Sequence, residues 1–131
     1  MIDAEYAPSA RPVPPKKEGV AHMLAATGYS LAGFRRLLGE TAFRQELAFL
    51  GAVFVAFAAF GVGALAWVVA LMLFALLAAT EALNTAIEEV VDRVSPERSE
   101  FARHAKDLGS FAVFCLLAAN LLHAGYALYA A

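Results

Sequence analysis

Positions 47–80 contain no Asp, Glu, Lys or Arg, an uninterrupted run of 34 residues, and positions 108–131 contain none in 24. Uncharged apolar stretches of about 18 residues or more read as membrane spans, because charge is costly inside hydrocarbon. These two runs exclude a water-soluble globular domain. With 131 residues in all, of which 61% are apolar and 17% charged, the chain has too little polar side chain to clothe a soluble fold. Its polar chemistry must come from the segments before and between the runs.

The first run is too long for one span of about 20 residues. Gly61-Val62-Gly63 places two glycines within three positions and predicts a turn there. The expected spans are therefore 42–60 and 64–86, with the second helix continuing to about 94, where Ser95-Pro96 stops it. A polar loop over 95–104 follows, and the third helix starts near His104 and spans 106–129. Ahead of the spans, Val20, Met23, Leu24, Leu31, Phe34 and Leu38 recur at roughly helical spacing. They predict an amphipathic helix over 19–38 lying along the bilayer surface, weakened by Gly28 and Gly33. Residues 1–18 hold four of the five prolines and read as a disordered cytosolic arm. The expected fold is an all-α membrane domain over 19–131, with one interfacial helix and three transmembrane helices.

All ten Lys and Arg lie before the first run or between the two. Because basic residues accumulate on the cytoplasmic side, the N-terminus and the 93–106 segment are expected inside and the C-terminus outside. No charged side chain is then translocated. No basic block has the aromatic-interleaved character of a nucleic-acid surface. Cys115 lies alone in the last apolar run, which excludes a disulfide framework and predicts a buried structural thiol. The first residues, MIDAEYAPSA, lack the apolar core of a signal peptide.

The chemistry concentrates at the end of the second span, TEALNTAIEEVVDR. At about 100° per residue, Glu81, Asn84, Thr85, Glu88 and Asp92 fall on one helix face. Glu81 lies on the order of 10 Å deeper than Glu88 along the axis. A carboxylate at that depth costs several kcal/mol unless it is neutral, paired or cation-bound. The stripe therefore lines a polar cavity or an interhelical site. On one reading it pairs with Arg93, Arg103 or Lys106 and only holds helices together, which accounts for one or two carboxylates but not for Asn84 with three acids. On the other, these oxygens join Glu40 and Glu46 at the start of the first span, with Lys106-Asp107 at the start of the third. Such a set suits Mg²⁺ and a nucleotide: Mg²⁺ takes one or two carboxylates and completes its shell with phosphate and water, and lysine supplies a point charge. A further carboxylate at membrane depth can accept a proton from a lipid hydroxyl. No GxxxxGK[ST] or HExxH motif occurs, and His22, His104 and His123 are scattered. His123 and Asn120 read as an interhelical hydrogen-bonding pair. The rival from another class is a small transporter subunit in which Glu81 binds protons or cations.

EALNTAIEEVVDR, followed by AKDLGS and preceded by ETAFRQE, resembles the small integral-membrane prokaryotic diacylglycerol kinases, a family that also includes the undecaprenol kinases. The resemblance covers about residues 20–130. It implies that Glu81 is the general base on the lipid hydroxyl and that Glu40 and Glu88 hold Mg²⁺ with the ATP phosphates. It implies ATP contacts from Tyr29, Asn84, Lys106 and Asp107, and from Glu97, Arg98 and Ser99 at the adenosine end. Ser30, Arg44, Glu46 and Ser110 fall near the lipid headgroup. It further implies a homotrimer with sites shared between subunits, in the bacterial inner membrane. Ser110 resembles the diacylglycerol branch rather than the undecaprenol branch. His22 and Arg103 depart from the family pattern, standing where an arginine and a small residue are usual, and the loop SPERSEFARH also diverges.

Overall fold

The computed structural model describes residues 19–97 and 99–131, so the proline-rich arm expected over 1–18 and Arg98 lie outside the described residues. Among the described residues four helices follow in order: α1 (Gly19–Leu37), α2 (Thr41–Phe60), α3 (Ala64–Val94) and α4 (Glu100–Tyr129). Two compact units divide between Ala32 and Gly33. In the first, α1 opens at Gly19 with a positive φ of 61° and carries Val20, Met23, Leu24 and Leu31 exposed. Two of its hydroxyls bond within the helix, Thr27 donating to the Met23 carbonyl and Ser30 to the Ala26 carbonyl, each at 3.0 Å.

The second unit, Gly33–Ala131, holds the three long helices. All three are long and apolar enough to cross a membrane. The chain is thus a multi-pass membrane protein. The turn expected at 61–63 is present. Gly61 adopts φ 69°, a left-handed conformation open to glycine, and its N–H and that of Val62 both donate to the Phe57 carbonyl, closing α2. The Trp67 indole then donates to the Val62 carbonyl at 3.1 Å, fixing the entry into α3.

The α3–α4 pair makes the main interhelical contact, with α2 touching both. Around the turn, Val53, Phe57, Ala70, Ala124 and Ala127 form a buried cluster against which Phe54 and Trp67 pack. Alanines at 70, 124 and 127 allow close backbone approach, which drives association where lipid tails are as apolar as the helices. Phe54 and Phe57 meet Trp67 at centroid separations of 5.0 and 5.6 Å. Nearer the polar end, the fully buried Phe43 stacks on Phe74 and receives the edge of Phe34.

Asn120 and His123 do act between helices, as the sequence suggests, and their partners are backbone carbonyls of α3. The Asn120 amide donates to Leu73 O at 3.3 Å as well as to Leu116 O at 2.8 Å within its own helix, and His123 Nε2 lies 2.9 Å from Ala66 O. Asn120→Leu is expected to cost about 0.6–1.7 kcal/mol, the range for interhelical polar contacts in membranes. Reversible unfolding in mixed micelles measures it.

Two expectations are corrected. The third span's helix begins at Glu100 rather than near His104, because Ser99 caps it: the Ser99 hydroxyl accepts from the Ala102 N–H at 3.1 Å and lies 2.9 Å from the Ser95 hydroxyl. The polar connection is correspondingly shorter than 95–104. Cys115 is exposed rather than buried, on a face of α4 turned away from α2 and α3. Most of the apolar surface behaves likewise, since only 17–22% of the residues in the three membrane windows are buried. That surface is compatible with lipid or further protein, not with water.

Candidate active site

α3 runs for 31 residues, about 46 Å, whereas the hydrocarbon core is about 30 Å thick. The surplus is the acidic segment. It turns its polar stripe toward α2 and α4 and divides two clefts.

The first cleft, about 250 Å³, is lined by Glu40, Ala42, Glu81, Asn84, Thr85, Glu88, Ser110 and Val113. Four of the five stripe residues expected on one face of α3 are therefore brought together here, with Glu40 from just before α2 and Ser110 from α4. Glu81 is buried, at 8% exposure, despite its charge-bearing side chain. The Asn84 amide donates to Glu88 Oε1 at 3.1 Å. Glu40 precedes α2 in an extended conformation at the N-cap position, where the positive end of the helix favours a carboxylate, but its side chain does not cap the helix. Instead it accepts from Arg36 Nη1 at 2.5 Å. Arg36 also donates from Nε to Glu89 at 3.0 Å, tying the end of α1 to α3. Hydrogen bonds to Glu40 and then Glu89 raise the Arg36 pKa above its already high ordinary value, so this cation is permanent.

Glu46 is buried at 6% exposure, and its Oε2 has no hydrogen-bond partner among the described residues. It also lines an apolar groove of about 290 Å³ with Ala42, Gln45, Phe49, Leu117 and Leu121. The polar cleft and this apolar groove adjoin at Ala42, which lines both.

The second cleft, about 470 Å³, contains Asp92, Ser95, Glu97, Ser99, Arg103, Lys106 and Asp107 in its lining. Here Lys106 Nζ pairs with Asp92 at 2.5 Å, and Arg103 sits 3.7 Å from Asp107. The reading in which basic residues neutralise the stripe therefore applies at Asp92, the outermost acid, and not at Glu81 or Glu88. Among the described residues, no three His, Cys, Asp or Glu converge as a self-sufficient metal site. Glu40 and Glu88 nevertheless line one cleft with a hard-oxygen donor set, which fits Mg²⁺ when phosphate and water supply the remaining ligands.

The other expected site residues are distributed as follows. Glu97, Ser99, Lys106 and Asp107 meet in the second cleft, with the Ser99 oxygen engaged as a helix cap. Arg98 lies outside the described residues. Tyr29 and Ser30 are exposed on α1, in the unit that ends at Ala32. Arg44 clasps the turn between α1 and α2, donating to Leu38 O and Gly39 O at 3.4 Å and to Thr41 Oγ1 at 3.2 Å. The Arg36–Glu40–Glu89 cluster was not anticipated; the Arg36/Glu40 half is legible as an i,i+4 pair, whereas Glu89 lies off the polar stripe.

The profile of the prokaryotic diacylglycerol kinases matches residues 28–128, well over half of the chain. The chain belongs to the prokaryotic diacylglycerol kinase family. It is 52% identical over 111 residues to a diacylglycerol kinase of Sinorhizobium sp, covering 85% of this chain and 81% of the relative. It is 47% identical over 103 residues to a diacylglycerol kinase of Pseudomonas aeruginosa, covering 76% and 81%. With a diacylglycerol kinase of Escherichia coli K12 it shares 42% identity over 97 residues, covering 72% and 79%. The diacylglycerol kinase resemblance noted in the sequence is thereby upheld, and a kinase replaces the transporter alternative.

Proposed function

We propose that this protein transfers the γ-phosphoryl group of MgATP to the hydroxyl of diacylglycerol, giving phosphatidic acid and ADP. The observation that carries the reading is the single cleft that gathers Glu40, Glu81, Asn84, Glu88 and Ser110 beside an apolar groove.

Phosphoryl transfer requires mainly in-line positioning and neutralisation of charge. The lipid hydroxyl oxygen bonds to the γ-phosphorus while the bond to the β,γ-bridging oxygen breaks. The hydroxyl proton passes to the Glu81 carboxylate, a general base held at the membrane boundary. Glu40 and Glu88 would hold Mg²⁺, which would offset phosphate charge. Asn84 keeps Glu88 turned into the cleft. Lys106 and Asp107, beside Glu97 and Ser99, receive the nucleotide in the second cleft, where Lys106 exchanges its contact with Asp92 for phosphate. Glu46 and Ser110 face the glycerol end of the lipid, whose acyl chain follows the groove of Phe49, Leu117 and Leu121. A lipid alcohol already resides at this depth, so the reaction needs no extraction of substrate from the bilayer.

The remaining assignments belong to the same reading: α1 rests on the cytoplasmic surface of the bacterial inner membrane, with Tyr29 near ATP and Ser30 and Arg44 near the headgroup. The N-terminus is inside and the C-terminus outside, in accord with the placement of every Lys and Arg. The assembly is a homotrimer with shared sites, consistent with the large unburied apolar surface of one chain.

Undecaprenol is the second acceptor to test; Ser110 in the cleft favours diacylglycerol. The decisive experiment offers Mg·[γ-³²P]ATP with diacylglycerol and undecaprenol in parallel micelles. Label in phosphatidic acid is expected. Label only in undecaprenyl phosphate would retain the mechanism and replace the substrate, and no label from folded protein would remove the reading.

A further inference from the structure

Gly109 lies inside α4, where glycine costs about 1 kcal/mol relative to alanine. Its backbone does not ask for glycine, since the positive-φ glycines among the described residues are Gly19 and Gly61. What it lacks is room. A Cβ built on Gly109 would overlap Asn84 Oδ1 and lie 3.1 Å from Asn84 Cγ, and the nearest obstructing atoms all belong to that one side chain. By contrast, a Cβ at Gly28, Gly33, Gly51 or Gly125 would meet nothing within 4 Å.

The same Asn84 oxygen is buried without a hydrogen-bond partner among the described residues, while its amide nitrogen donates to Glu88. A buried carbonyl oxygen left unpaired is unfavourable, so the amide is held in this orientation by its surroundings, including its hydrogen bond to Glu88. The surroundings are the bare α-carbon of Gly109 on one side and Glu88 on the other.

We propose that Gly109 is a positioning residue: its missing side chain is the slot that seats the Asn84 amide and so aims Glu88 into the cleft. The inference rests on the kinase reading for the role of Glu88, but its geometry is independent of it. Because the obstruction is a side-chain amide rather than backbone, an added methyl is accommodated by turning Asn84 away. The fold survives, the helix gains propensity, and Glu88 loses its donor.

The test is a cycle of Gly109→Ala, Asn84→Ala and the double variant in the full-length protein. It reads the Mg²⁺ dependence of lipid phosphorylation together with thermal unfolding in the absence of nucleotide and metal. Partners that orient metal ligands are typically worth about 10–100-fold in metal affinity or activity. Gly109→Ala is therefore expected to raise the half-activating Mg²⁺ concentration or lower kcat by about ten-fold or more. The double variant should be no worse than Asn84→Ala alone, within about two-fold, since contacting residues do not add. It should also unfold at a higher temperature than Gly109→Ala alone. A wild-type Mg²⁺ response in Gly109→Ala, or losses that multiply in the double variant, would overturn the proposal. Should Gly109→Ala fail to fold, recovery in the double variant supports it and failure of both refutes it. A wild type without Mg²⁺-dependent lipid phosphorylation would remove the kinase reading instead, leaving the unfolding cycle to decide the Asn84 contact.

Discussion

Replacing Glu81 with Gln should lower kcat by about 10²–10⁴-fold, the usual contribution of a positioned general base, with little change in the KM for ATP. The substitution keeps the shape of a side chain that is only 8% exposed and removes its capacity to take a proton. Glu81 lies one helical turn deeper than Asn84 and two turns deeper than Glu88, so the loss should fall on chemistry rather than on nucleotide capture. Rates over a range of ATP and lipid concentrations separate the two. A fall in ATP affinity with kcat preserved would assign Glu81 to binding and require another base. Glu46, buried with a carboxylate oxygen that has no hydrogen-bond partner among the described residues, would be the first alternative.

The second large effect is expected at Glu88. Glu88→Gln removes one of the two carboxylates proposed to hold Mg²⁺, while an amide oxygen can still accept from Asn84. The half-activating Mg²⁺ concentration should rise by about ten-fold or more, and saturating Mg²⁺ should restore only part of the rate. A chelator should abolish wild-type activity, reversibly on adding Mg²⁺. A Glu88→Gln enzyme with an unaltered Mg²⁺ titration would take Glu88 out of the metal site.

These residues are legible in the sequence because their spacing is helical and their chemistry improbable: acids and an asparagine at one face of an otherwise uncharged helix have few destinations. The turn at 61–63 is legible for a similar reason, since a long apolar run must reverse and the glycines mark where. The start of α4 is harder. Positions 95–104 read as loop, and the Ser99 cap that starts the helix at Glu100 works through a single hydroxyl. Exposure of Cys115 is legible only through Asn120, which turns to α3 and stands about 140° around the helix from the thiol. Arg36 with Glu89, and Gly109 with Asn84, depend on how separate helices approach. Neither is written in local periodicity.

The uncharged part of α3 at positions 64–80 is 17 residues, or roughly 25 Å, and that of α2 at positions 47–60 is 14 residues, or roughly 21 Å. Both fall short of a hydrocarbon slab of about 30 Å. The bilayer must therefore thin around this protein, or Glu46 and Glu81 must stand inside its acyl margin, at a cost that grows with every ångström of mismatch. Acyl-chain length and the sorting of thick and thin lipid around the protein then become variables of the carboxylates' environment. Membrane composition acts on these groups mechanically as well as by supplying substrate.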